Sequence, residues 1–114
     1  MRTVTPRSKY RAVPTVVDGI RFASKKEARR YQELRLLEKA GEIRGLTLQV
    51  PLVLSAGNDR RTSIGKYVAD FVYEERTGQD WCHRVEDAKG FKTPLYRWKK
   101  KHVAAQYGIE IREV

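Results

Sequence analysis

This chain is short of the residues that staple or metallate small proteins. Its 114 residues include one cysteine, Cys82, so neither an internal disulfide nor a thiolate zinc site can form. Two histidines, His83 and His102, are too few for a structural zinc cluster. No apolar run approaches the roughly 18 residues of a membrane-spanning helix, and residues 1–23 lack the apolar core of a secretory signal. The expectation is a protein of a reducing cytoplasm with no membrane partner. Acid is scarce as well. Against 24 Lys and Arg stand 14 Asp and Glu, a net charge of +10. That excess in so small a chain points to a polyanionic partner, nucleic acid before all others. A merely soluble surface needs far less net charge.

What is present fits one domain. Apolar residues make up 40% of the chain, enough for a core without staples at this length. Residues 1–14 carry Arg2, Arg7, Lys9 and Arg11 with no acid, plus Pro6 and Pro14, and read as a basic flexible arm. Residues 15–114 read as a single folded unit. Asp18-Gly19 between short apolar stretches predicts a β-hairpin. Ser24 and Glu27 form a capping-box signature that opens a helix with the apolar stripe Ala28, Tyr31, Leu34, Leu37 and Ala40, stopped by Gly41. Leu46, Leu48, Val50, Leu52 and Leu54 alternate and predict a strand with these five on one face. Turns at Gly57-Asn58-Asp59 and Thr77-Gly78 separate two further strands, about 64–74 and 80–89. Thr93 and Pro94 start a second helix that should end at Gly108, and Ile109, Ile111 and Val114 suggest a last strand.

Asp70 lies inside the apolar run Tyr67-Val68-Ala69-Asp70-Phe71-Val72-Tyr73. A carboxylate there is costly unless it is paired or bound to a metal. A second acidic stretch follows in Val85-Glu86-Asp87-Ala88-Lys89-Gly90. Strand alternation puts Asp87 and Lys89 on one face and Glu86 on the other. If the two strands pair, two carboxylates and an ammonium converge, and a divalent cation beside a lysine is a common apparatus for phosphodiester hydrolysis. His83 shares the face of Asp87 but sits about 13 Å along the strand, too far to join.

The order hairpin, then α-β-β-β-α-β, with Asp70 on the second core strand and Asp87-Ala88-Lys89 on the third, resembles the PD-(D/E)XK nuclease superfamily. Glu27 is placed where that superfamily carries an acid on its first helix. The stretch from Ser24 to Gln49 is similar to the entry of transposon-end-cleaving and phage Holliday-junction-resolving members, and the layout is similar to small phage-borne members. The resemblance covers roughly residues 16–112 through short, degenerate motifs. Ala69 replaces the proline before Asp70, and Glu86 directly precedes Asp87.

The resemblance implies an α/β (α+β) fold with a restriction-endonuclease-like core: a mixed central sheet flanked by two helices, with the N-terminal hairpin added. It implies a DNA endonuclease in a bacterial host cytoplasm, dependent on one or two Mg²⁺ (or Mn²⁺) ions and leaving 5′-phosphate and 3′-hydroxyl ends. Glu27, Asp70, Asp87 and Lys89 would be catalytic. Asp70, Asp87 and Glu27 would hold the metal, and Lys89 would orient water and offset charge on the phosphate.

Each residue also has a structural explanation. Asp70 and Lys89 would make an ordinary cross-strand ion pair, and capping alone accounts for Glu27. Lys89 also flanks the turn at Gly90. It is the coincidence of all four on the expected elements that favours chemistry.

Lys25, Lys26 and Arg29 on the first helix, with Lys92, Arg97, Lys99, Lys100 and Lys101 around the second, are the expected DNA contacts, duplex or branched, through the phosphate backbone. Arg30 and Lys39 read as a solvated helix face. His102 reads as a phosphate contact at most, and Trp98, on a stripe with Leu95, as core. A junction-resolving enzyme needs two coordinated cuts, which calls for a two-fold homodimer built on Val16, Val17, Ile20 and Phe22 of the hairpin. The competing readings are a catalytically inactive nucleic-acid-binding module of the same fold, and a basic structural or ribosome-associated protein, in which Asp70 would have no purpose.

Overall fold

The computed structural model describes residues 13–56, 59–88 and 92–114. The basic segment 1–12 and Lys89 lie outside the described residues. Strands β1 (Thr15–Val17) and β2 (Ile20–Phe22) form the expected hairpin. Its turn residues Asp18 and Gly19 both take positive φ, 53° and 75°, the left-handed pair whose twist suits a two-residue hairpin. Helix α1 runs Lys25–Lys39. Ser24 Oγ accepts from the Glu27 amide at 3.1 Å, satisfying one of the free donors of the first turn.

The main sheet comprises β3 (Ile43–Ala56), β4 (Asp59–Thr77), β5 (Asp80–Asp87) and β6 (Ile111–Glu113), in that spatial order. Pairing is antiparallel from β3 to β5 and parallel between β5 and β6. The sheet is therefore mixed, and the fold is α+β. Between β5 and β6 the chain passes through α2 (Pro94–Tyr107), whose N-cap Thr93 accepts from the Tyr96 amide at 3.0 Å. Gly108 closes it in the left-handed region, φ 67°. No helix among the described residues is long and apolar enough to cross a membrane.

Two separate cores result. Under α1 and the hairpin lie Phe22, Ala28, Tyr31, Leu34, Ile43, Phe71 and Tyr73. Under α2 lie Leu54, Tyr67, Ala69, Val85, Tyr96, Val103 and Ile111. The expected α1 stripe stops at Leu34: Leu37 and Ala40 are exposed. In its last turn Glu38 accepts from the Leu46 amide at 3.3 Å, so a polar contact meets β3 there.

The five alternating residues of β3 do not share a face. Leu46 and Leu48 pack into the α1 core, whereas Leu52 and Leu54 belong to the α2 core. The change of side falls at Gln49, a non-glycine residue at φ 52°, which breaks the two-residue period. The neighbouring strand changes with it: Ala69 faces the α2 core and Phe71 the α1 core.

α2 also covers part of the outer edge of β3. Gln106 accepts from the Ser55 amide at 2.8 Å and donates to Val53 O at 3.1 Å. The Tyr107 hydroxyl donates to the same carbonyl. Such cover protects an edge strand from pairing with another chain.

Candidate active site

The pairing of β4 with β5 ends at Phe71↔Glu86, and just beyond it the two strands present Asp70 and Asp87. Asp70 Oδ2 accepts the Ala88 amide at 2.9 Å, which fixes its carboxylate at this mouth. Its Oδ1 accepts from Gln49 Nε2 at 3.2 Å. The same Gln49 nitrogen lies 3.2 Å from Glu27 Oε1. One side-chain amide thus joins an acid from α1 to an acid from β4, 43 residues apart in the sequence. Glu27 is buried and Asp70 half-buried.

Asp87 is wholly buried and its Oδ2 accepts from the Tyr67 hydroxyl. Burial pushes the Tyr67 phenol far up, and the hydrogen bond to Asp87 pushes it further. Tyr96 is likewise raised, first by burial and then by its hydrogen bond to Glu113. The charges of Asp87 and Asp70 bear on both phenols, so the two carboxylates share one neighbourhood. Both phenols stay protonated and donate. Lys89, the fourth expected residue, lies outside the described residues.

Among the described residues no group of three or more His, Cys, Asp or Glu side chains is arranged to hold a metal ion. The structure brings Glu27 and Asp70 together, while Asp87, on the next strand, is bound to Tyr67 of the α2 core. Mg²⁺ needs no more protein than this, since it binds through one or two carboxylates and keeps several waters. The hard oxygen donors of Glu27 and Asp70, held around a single point now taken by an amide NH₂, fit such an ion.

A family model described as a protein of unknown function, DUF1064, matches residues 7–113. The chain belongs to the DUF1064 family. No curated protein and no solved structure matches it.

The remaining residues of this DUF1064 chain follow their sequence pattern unevenly. Glu86 is on the opposite side from Asp87, as alternation requires. It is fully buried, bound by Arg30 Nε at 2.8 Å and Nη2 at 2.7 Å and by the Tyr73 hydroxyl. Burial and that hydrogen bond push the Tyr73 phenol up to about 12. Arg30 is therefore no solvated helix residue: the bidentate bond to a buried acid draws it inward. Its pKa is raised, chiefly by that bond.

Lys25, Lys26 and Arg29 are exposed around the Glu27 end of α1. On the other side of the sheet Lys92 and Lys100 are drawn to Glu113, at 3.0 and 3.3 Å. Arg97, Lys99 and Lys101 form no ion pair among the described residues. His83 is exposed, whereas His102 touches Ser55 O at 3.0 Å. Trp98 is not core: it is 47% exposed and Leu95 60%. The sheet beneath α2 takes only the stripe of Tyr96 and Val103. Gln49 is the bridging residue that the sequence conceals. It occupies a polar position in an alternating strand, where nothing local marks it.

Proposed function

We propose that this DUF1064 chain is a metal-dependent DNA endonuclease with a restriction-endonuclease-like core, acting on branched or otherwise structured DNA in a bacterial host of phage. The observation that carries the reading is the meeting of Glu27 and Asp70 on one Gln49 amide at the mouth of the sheet, with Asp87 on the adjoining strand. The element order and the basic helices on either side support it.

Asp70 and Glu27, with Asp87, would hold one or two Mg²⁺ ions. When bound, the metal would polarise the scissile phosphate and supply hydroxide at neutral pH. The chain's own groups do the rest. The Ala88 amide and Gln49 fix the Asp70 carboxylate. The Tyr67 phenol orients Asp87. Lys89, two residues beyond Asp87, would set the attacking water and offset charge on the phosphate. Cations on α1 and α2 would hold the backbone of the substrate.

A second reading, a binding module without catalysis, draws on one feature: the Gln49 NH₂ fills the point between the two acids that an ion would need. Labelled linear, forked and four-way DNA incubated with the protein in Mg²⁺ or in EDTA separates the two. Nicking that requires the divalent ion supports the endonuclease. Binding without any cleavage in Mg²⁺ or Mn²⁺ supports the module. Sedimentation with a four-way junction decides whether two copies assemble on it, as a resolving enzyme requires.

A further inference from the structure

Helix α2 carries two distinct stripes. Tyr96 and Val103, seven apart, are buried against the sheet. Leu95, Trp98 and His102, at i, i+3 and i+7, form a second stripe on another side of the helix. Leu95 and Trp98 are among the exposed large apolar residues of the protein. The indole is nonetheless held: its ring centroid is 5.2 Å from that of His102. His102 is in turn tied to β3 through Ser55 O and to Gln106. A large flat ring, half in water and braced from behind, is a platform.

What covers it is indicated by charge. Arg97 and Lys101 are exposed and Lys99 is half-buried; none forms an ion pair among the described residues. The other two cations of this region, Lys92 and Lys100, are engaged by Glu113. The platform is thus ringed by uncompensated positive charge and by no acid of its own helix. A hydrophobic protein partner does not require such a ring. A polyanion that also presents flat apolar rings does, and a single strand of nucleic acid has both, because every unpaired base offers a π-face while its phosphates run alongside. Paired bases are stacked within a duplex and cannot reach the indole.

We infer that Leu95 and Trp98 form a stacking site for unpaired nucleotides, with Arg97, Lys99 and Lys101 holding the phosphates of that strand. The proposed substrate is then DNA with a single-stranded portion, such as a flap, a fork or the open centre of a branch. This inference rests on the endonuclease reading for its reaction alone, and its test needs neither a divalent ion nor a cut strand.

The test uses the two tryptophans. Trp81 lies near two guanidiniums, its ring centroid 4.2 Å from the guanidinium carbon of Arg44 and 5.4 Å from that of Arg76, and Trp81→Phe leaves Trp98 as the sole indole reporter. Titration in EDTA with an oligo-dT of about 12 nucleotides should quench Trp98 emission to saturation. An abasic strand with the same number of phosphates should bind more weakly and quench little. In the full chain, Trp98→Ala should weaken oligo-dT binding by about tenfold, the scale of one stacked base. Duplex affinity should move less than twofold.

Equal loss on oligo-dT, abasic strand and duplex would overturn the inference, because the ring would then be serving phosphates alone. So would saturable binding with no quenching. A dimer of the free protein that dissociates on Trp98→Ala would show a second copy to be the occupant. Stronger quenching by anionic phospholipid vesicles than by oligo-dT would show a lipid surface. Each of these overturns the proposal while leaving the nuclease assay untouched, and an inactive nuclease leaves the stacking result standing.

Discussion

Gln49 faces Asp70 across the β3–β4 ladder, between the pairs Leu48↔Phe71 and Val50↔Ala69, and donates to its carboxylate at 3.2 Å. Because the same amide reaches Glu27, Gln49 sets the spacing of two acids without being charged itself. Gln49→Ala should therefore act as a positioning mutation. Cleavage should fall by about tenfold or more, as expected when catalytic groups lose their alignment. The loss should appear in kcat with KM nearly unmoved, and steady-state kinetics on a labelled substrate measures both.

Direct loss of the charged groups should cost more. Asp70→Asn, Asp87→Asn and Lys89→Ala should each reduce cleavage by at least about 10²-fold, the scale of one preorganised electrostatic group. DNA affinity should persist, and the asparagine variants should bind as tightly or tighter, since each removes a negative charge from the site. Wild-type rates in all three would end the site assignment.

Glu86 should behave differently from its neighbour. It is fully buried and paired with Arg30, so removing it strands a guanidinium in a partly buried setting. Glu86→Ala should cost about 3–5 kcal/mol of stability, seen as a lower denaturant midpoint. The double variant Arg30→Met, Glu86→Leu should recover much of that loss, because apolar replacement of a buried pair is often neutral. Such behaviour would mark Glu86 as structural.

Acid should loosen the tie between α2 and β6. The hydrogen bond from Tyr96, with those from Lys92 and Lys100, lowers Glu113 from 4.5 to about 2. A carboxylate depressed on folding stabilises the native state above its unfolded pKa. That contribution is lost as pH falls toward the folded value. Stability should thus decline between about pH 4.5 and pH 2, and Glu113→Gln should make that limb shallower. Thermal melts across the range measure it.

Salt should weaken DNA binding steeply. The slope of log K against log salt should be about −0.9 per neutralised phosphate on duplex DNA. Neutralising Arg97, Lys99 and Lys101 together should flatten it. Neutralising Lys92 and Lys100 should flatten it less, because Glu113 already compensates them. A salt-independent affinity would rule out phosphate recognition.

Much of the scaffold is legible from local signals. Ser24, Thr93 with Pro94, and Gly108 bound the two helices as their capping chemistry requires, and Asp18-Gly19 makes its turn. Those residues act on their immediate neighbours, so their meaning travels with them. Alternation also separates Glu86 from Asp87 correctly. It fails where a residue leaves the extended region: Gln49 looks like any polar position of a half-buried strand, yet its backbone turns the strand over. The pairing of Arg30 with Glu86 spans 56 residues and follows from packing alone. Trp98 and Leu95 do share a stripe, but α2 turns Tyr96 and Val103 to the sheet instead and leaves that stripe exposed.

The change of sides at Gln49 and Asp70 gives the protein two cores that share strands but no side chains. A substitution at Leu34 and one at Val103 act on different interiors, and their effects on stability should simply add. The seam enjoys no such insulation. Glu27 is carried by the helix over one core, and Asp70 sits at the crossing into the other, so a small shift in either interior moves one acid relative to its partner. Either core can be repacked on its own, but the acids at their junction register both.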